Sequence, residues 1–330
     1  MSQSSEQIQH SASRCNIALA SDPATLQAAV QILASGGLVA IPTETVYGLG
    51  AAINNKISVA KVFEVKGRPQ DHPLIVHIAD INQLNDIAID IPFDAVKLAQ
   101  ACWPGPLTIL LKRNSHISAD ITGGRETVAV RVPDNAFTRQ LITALGSPIA
   151  APSANRFGKV SPTTAQHVCD DLQNDVDLIV DDGACLIGVE STIVDFSVSP
   201  PQLLRPGGIL VDDIEQILGY RIGRSDGISR ASGMLQSHYR PTCHVLLVNT
   251  ENEASDLIAT LAPLQMPARI INRCENLPSY AALLYNDLRQ ADADQIRTLI
   301  AVLPVNIGLG VAIIDRLSKA AAPVDGLPAS

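Results

Sequence analysis

Two cations two residues apart, Lys66 and Arg68, flank Gly67 at the end of a helix-patterned segment. Upstream, Thr43-Glu44-Thr45-Val46-Tyr47-Gly48-Leu49-Gly50 follows directly on an apolar run, Leu38-Val39-Ala40-Ile41, that Pro42 stops. Hydroxyls and adaptable backbone at a strand end, with fixed positive charge beside them, suit an anionic ligand. Taken alone, Lys66 and Arg68 more commonly mark a solvated helix end favoured by its dipole. Arg131 resists that reading. It lies in Val128-Ala129-Val130-Arg131-Val132, a run that reads as buried strand, and a buried guanidinium needs an anionic partner. Arg205, held beside Pro206, repeats the pattern less strongly. His77 falls in the apolar run Pro73–Ile78, where a satisfied core histidine is the commoner outcome. Ser153-Ala154-Asn155 after Pro152 also fits a simple turn, and Glu190-Ser191-Thr192 a strand entry.

No G-x-S-x-G presents a nucleophile, no G-x-x-x-x-G-K-[ST] loop cradles phosphates, and Gly308-x-Gly310 lacks the third glycine of a dinucleotide fingerprint.

The elements that must hold these groups are well punctuated. Asp22-Pro23 opens a helix that Gly36-Gly37 stops, and the strand at 38–41 follows. Residues 57–65 have helical spacing; 73–78, 107–111, 127–132, 148–151, 176–180 and 192–196 read as strands. Helices are expected at 81–88, 93–102, 135–145, 163–172 and 212–218, with sharp turns at Trp103-Pro104-Gly105-Pro106 and Pro152. Strands and helices mix without strict alternation, so an α/β or α+β sheet domain is expected, not a regular barrel. From about Arg221 to Pro241 the composition turns to Gly, Ser and Arg and reads as a linker. Beyond it, strands at 244–248, 268–271 and 299–303 alternate with helices at 253–261, 280–290 and 310–322, which predicts a small parallel unit.

With 330 residues the chain can bury a full core, and 46% hydrophobic against 17% charged residues is a globular balance. No run approaches a membrane span, and Met1–His10 lacks the basic start and apolar centre of a secretory signal. The six scattered cysteines include no C-x-x-C, so reduced thiols in a cytoplasm are expected, without zinc or disulfides. A net charge of −9 and an aromatic content of 3% oppose general binding to nucleic acid. That acidity also makes clustered cations more telling.

Several of these motifs together resemble the YrdC/Sua5 family. They are Pro42–Gly50, Lys66-Gly67-Arg68-Pro69, Pro73–His77, Trp103–Thr108, Val130–Pro133, Ala151–Asn155, Gly188–Thr192 and Arg205-Pro206-Gly207, in order over about residues 18–218. Gly233-Met234, His238-Tyr239-Arg240-Pro241 and Gly308–Leu317 look like the longer, two-domain Sua5 branch. The lysine usual in that branch's linker is missing from Ser232–Pro241.

The resemblance implies a twisted, open mixed sheet with a concave basic groove, plus a smaller Rossmann-like α/β C-terminal domain. The implied layout is a flexible tail at 1–17, a YrdC-like catalytic domain at 18–218, a linker or lid at 219–241 and a Sua5-type domain at 242–330. It implies a nucleotidyltransferase, an L-threonylcarbamoyladenylate synthase that joins L-threonine, bicarbonate or CO2, and ATP with its Mg2+, releasing pyrophosphate. The product would pass to the tRNA threonylcarbamoyl transferase machinery for t6A37, with at most weak tRNA contact and no membrane. By resemblance Lys66, Arg68, Ser153, Asn155, Ser161 and Arg205 face the nucleotide, Lys66 and Arg68 being catalytic, with His238 and Tyr239 closing over it. Thr43, His77, Arg131 and Ser191 face threonine, Arg131 meeting its carboxylate, and Thr108 serves either ligand. A double-stranded RNA-binding module of the same fold is the alternative from another class.

Overall fold

The computed structural model describes residues 15–225, 239–264 and 266–322. Most of the chain builds one twisted mixed sheet. Its strands are β1 (Ile17–Leu19), β2 (Val39–Ile41), β3 (Gly48–Ala52), β4 (Ile75–His77), β5 (Leu107–Lys112), β6 (Thr127–Arg131), β7 (Ile149–Ala150), β8 (Leu178–Asp181), β9 (Thr192–Asp195), β10 (Gln202–Arg205) and β11 (Gly223–Arg224). They lie in the order β1-β8-β2-β3-β7-β4-β6-β5-β9-β10-β11. Strand order so far from chain order brings distant segments side by side at the strand ends, where α/β sheets keep their ligands.

Apolar helices cover both faces. One face packs Leu49, Val62, Leu74, Val76, Leu98, Ile109, Val130 and Val168 into the main core. The other packs Leu33, Val39, Ile41, Leu141 and Ile149 under helices Pro23–Ala34 and Ala136–Leu145. The punctuation expected of the first helix holds, the Asp22 side chain capping it; the structure adds Asn55 as the cap of helix Lys56–Lys66.

A second, three-stranded parallel sheet follows: β12 (His244–Val248), β13 (Ala268–Ile271) and β14 (Thr298–Val302), in the order β12-β14-β13. Its helices are Glu251–Leu261, Leu277–Ala293 and Leu309–Ala321. The second unit shares a core with the first. Val46, Val160 and Val189 pack into the same cluster as Tyr239, Tyr280, Leu284, Tyr285 and Ile313.

Three expectations change. The Thr43–Gly50 loop ends early, because Gly48 already enters β3, pairing antiparallel with Ile41 of β2. Part of the expected linker joins the sheet, since Gly223 and Arg224 pair with Gln202 and Leu203 as β11. The thiols are not all reduced: Cys15 and Cys169, 154 residues apart, form a disulfide. Parallel pairing of β1 with β8 brings Cys15 beside helix Ala165–Leu172, a proximity that spacing along the chain does not reveal. Among the described residues no helix is long and apolar enough to cross a membrane.

Candidate active site

The site forms where several strand ends meet. Parallel pairing of β4 with β6 sets His77 opposite Arg131 at the ends of both strands. Parallel pairing of β5 with β9 sets Leu107 opposite Thr192, so Thr108 lies beside Ser191. Antiparallel β10 carries Arg205 to the same end, past a register irregularity between Leu203 and Arg205. An isolated bridge between Gly48 and Ser153 closes the opposite wall. The resulting pocket is lined by Thr43, Thr45, Arg68, His77, Arg131, Ser153, Glu190, Ser191, Arg205 and Tyr239, with Val46, Gly48, Ile75, Ala151 and Pro152 between them.

Lys66 and Arg68 are not a solvated helix end. Gly67 ends helix Lys56–Lys66 in the left-handed conformation (φ 62°), which turns both side chains inward; they are 2% and 8% exposed. Lys66 Nζ donates to the backbone carbonyls of Ser153 (2.6 Å) and Asn155. Among the described residues no carboxylate pairs with it. Burial, then the charge of Arg68, pushes its ammonium well below the usual lysine range. Arg68 donates to the Pro73 carbonyl at 3.0 Å and lies over the Phe157 ring. Carbonyl partners orient both cations toward the pocket wall.

Arg131 has the anionic partner that its burial demands, but the partner is Glu44 of the same chain, at 2.7 Å. Its Nε also donates to the Gly105 carbonyl (3.2 Å) and its Nη1 to the Thr45 hydroxyl (2.8 Å). The anionic partner expected for a buried Arg131 is thus supplied within the chain, by Glu44. Motif reading missed Glu44 and Thr45 because their side chains looked like turn residues. Burial first, then Arg131, pushes the His77 imidazole down to about 3, so it stands neutral.

On the far wall, Arg205 donates through Nε (3.0 Å) and Nη2 (2.9 Å) to the Ser191 carbonyl, and through Nη2 to its hydroxyl (3.0 Å). The Ser191 hydroxyl also shares a hydrogen bond of 2.7 Å with that of Thr108. Ser161 donates to Glu190 Oε1 at 2.7 Å. Burial raises the Glu190 pKa, but the guanidinium groups of Arg316 and Arg205 outweigh it and hold the carboxyl down at about 2. Tyr239 is fully buried, stacks on Tyr285 at 5.4 Å and has its backbone in the left-handed region (φ 62°).

The structure thus sets Thr43, Arg68, His77, Arg131, Ser153, Ser191, Arg205 and Tyr239 in the pocket wall. Lys66, Thr108, Asn155 and Ser161 stand directly behind it, each bonded as described or, for Asn155, through the Arg156 and Lys159 carbonyls. Among the described residues, the Asn155 Oδ1 atom is buried without a hydrogen-bond partner. His238 lies outside the described residues. Sequence reasoning also missed Arg316 and Tyr285, which reach Glu190 from the second unit; no local signal near the site points to them.

Comparison with known proteins bears on this site. A Sua5/YciO/YrdC family model, described as telomere recombination, matches residues 31–207. A second, described as the C-terminal domain of threonylcarbamoyl-AMP synthase, matches residues 209–322. The threonylcarbamoyl-AMP synthase of Pyrococcus abyssi is 39% identical over 317 residues, which cover 89% of this chain and 93% of that protein. Its counterpart in Bacillus subtilis is 41% identical over 324 residues, covering 91% and 93%. The crystal structure of P. abyssi Sua5 complexed with L-threonine superposes with a TM-score of 0.88 at 37% identity, covering 93% of this chain and 97% of that one.

Proposed function

This chain belongs to the Sua5/YciO/YrdC family, and from that premise we propose that it is a threonylcarbamoyl-AMP synthase. It joins L-threonine, bicarbonate or CO2, and ATP, and releases pyrophosphate. One observation carries the reading: four buried cations, Lys66, Arg68, Arg131 and Arg205, converge from three different segments around one hydroxyl-rich pocket. So many basic groups gathered at one pocket wall suit anionic reactants.

The chemistry needs no covalent nucleophile from the protein. The threonine amine adds to the carbon of CO2 and loses a proton to give a carbamate. A carbamate oxygen then attacks the α-phosphorus of ATP, and the bond to the β-phosphate oxygen breaks as pyrophosphate leaves. Holding the anions together and stabilising charge that builds on phosphorus supplies the rate. Lys66 and Arg68, with Ser153, Asn155, Ser161 and Arg205, are assigned to the nucleotide side. Thr43, His77, Arg131 and Ser191 are assigned to threonine; Thr108 acts through the Ser191 hydroxyl, and Glu44 orients Arg131 for the threonine carboxylate.

Mg2+ enters with ATP. Phosphate oxygens would carry it, and among the described residues no group of three or more His, Cys, Asp or Glu side chains is placed to hold a metal. Buried Tyr239 suits a lid that keeps a hydrolysable adenylate from water. Transfer of the product to tRNA belongs to a separate transferase. A non-catalytic RNA-binding role gains no support from a chain with a net charge of −9.

Incubation with ATP, bicarbonate and each amino acid in turn, followed by mass spectrometry and pyrophosphate assay, tests the reading. Threonine-dependent pyrophosphate with an adenylate of matching mass is expected; pyrophosphate release indifferent to threonine overturns it.

A further inference from the structure

Glu190 poses a problem for the reading above, on which this inference rests. A carboxylate in the wall of a pocket for anions repels both the nucleotide and the carbamate. Its direct ion-pair partner comes from outside the main sheet. Arg316, on helix Leu309–Ala321, is completely buried and donates Nε to Glu190 Oε2 at 2.8 Å. The Tyr285 hydroxyl, on helix Leu277–Ala293, donates to the same oxygen at 2.7 Å.

The same guanidinium also reaches the second strand of the site, donating Nη2 to the Pro206 carbonyl at 3.0 Å. Glu190 immediately precedes Ser191, Pro206 immediately follows Arg205, and Arg205 is bonded to Ser191. One side chain of the second unit therefore grips both segments just outside the Ser191–Arg205 pair.

The backbones leave no slack around this grip. A Cβ at Gly207 would stand 2.3 Å from the Glu190 carbonyl oxygen. A Cβ at Gly188, whose φ is +75°, would stand 2.4 Å from Ala282 Cα in helix Leu277–Ala293. A second guanidinium, Arg289, pairs with Asp171 at 2.6 Å and donates to the carbonyl of Ser161, the other partner of Glu190.

We propose that Arg316 is a positioning residue for the nucleotide pocket: it cancels the charge of Glu190, fixes the Ser191–Arg205 pair, and so makes ATP affinity depend on docking of the C-terminal sheet. A buried charge stripped of its partner is strongly unfavourable, and here the stranded carboxylate would also face the ligand.

The test combines R316M, E190Q and the double variant, with ATP affinity by calorimetry, KM for ATP and for threonine, and thermal stability. R316M is expected to weaken ATP binding by between about 5- and 150-fold and to raise the KM for ATP more than that for zwitterionic threonine. Adding E190Q removes the uncancelled charge and keeps a hydrogen-bond acceptor, so the double variant recovers most of the ATP affinity. Unchanged ATP affinity in R316M, or loss in the double variant as large as in R316M, overturns the proposal and leaves a purely structural role. Should R316M fail to fold, the double variant decides alone: affinity within about fivefold of the wild type supports the proposal, and a greater loss overturns it. A wild-type chain that binds ATP but forms no threonine adenylate sinks the activity reading while leaving this binding test intact.

Discussion

Lys66 is the residue whose chemistry is most exposed to measurement. Its ammonium is buried against two carbonyls and beside Arg68, so its proton is held weakly. An ATP phosphate arriving beside it favours the charged form, and nucleotide binding should therefore take up protons, more so as pH rises. Calorimetric titration in buffers of different ionisation enthalpy reads this directly; proton release on binding would contradict it. Neutralising one contact in the site, as in Arg205→Met, is expected to cost on the order of 10²–10³ in turnover, read as pyrophosphate release, with thermal stability reported alongside. His77 sets the acid limb. Its imidazole, pushed down to about 3, lies below the value of about 6.5 of an unfolded chain. The stability tied to keeping it neutral is thus full above about pH 6.5 and lost as pH falls toward 3, by at most about 5 kcal/mol. His77→Gln should flatten melting temperature against pH across that window, and an unchanged slope would count against the assignment. At this scale the cations were legible because Lys-Gly-Arg spacing and a guanidinium inside an apolar strand are local signals. Glu44 was not, because only the closing of β6 against the 43–46 loop reveals that it neutralises Arg131.

At the scale of elements, the site depends on strand ends and on two glycines that let backbones touch. Gly188 combines a left-handed φ with direct contact against helix Leu277–Ala293. Gly188→Ala is expected to cost roughly 1–3 kcal/mol in stability and to raise the KM for ATP, because it pushes the second unit away from Glu190. Chemical denaturation and steady-state kinetics on the same sample check both. Strands 73–78, 107–111 and 192–196 were readable from apolar runs, and the bounds of the first helix from Asp22-Pro23 and Gly36-Gly37. Strand order was not readable: nothing in the local pattern of Thr108 and Ser191, 83 residues apart, announces the bond between them. Nor does composition distinguish Gly223-Arg224, which read as linker, from an edge strand.

At the scale of the molecule, two sheets share one apolar cluster and one buried ionic centre, so the C-terminal unit behaves as part of the site. Its alternating strands and helices were plain in the sequence; the inward reach of Arg316 and Tyr285 was not, since side chains over 90 residues away supply it. The Cys15–Cys169 disulfide closes a loop of comparable length. Cys15→Ser should lower stability by up to about 5 kcal/mol on a chain-entropy account, and reductant should do the same to the wild type and nothing further to the variant. The account as a whole holds that the protein crowds anionic reactants against fixed cations and never bonds to them. Its most direct test is the stereochemistry at phosphorus, using ATP made chiral at the α-phosphate by sulfur and oxygen isotopes. A single in-line attack by the carbamate predicts inversion of configuration in the adenylate; retention would reveal an adenylylated protein and contradict the account.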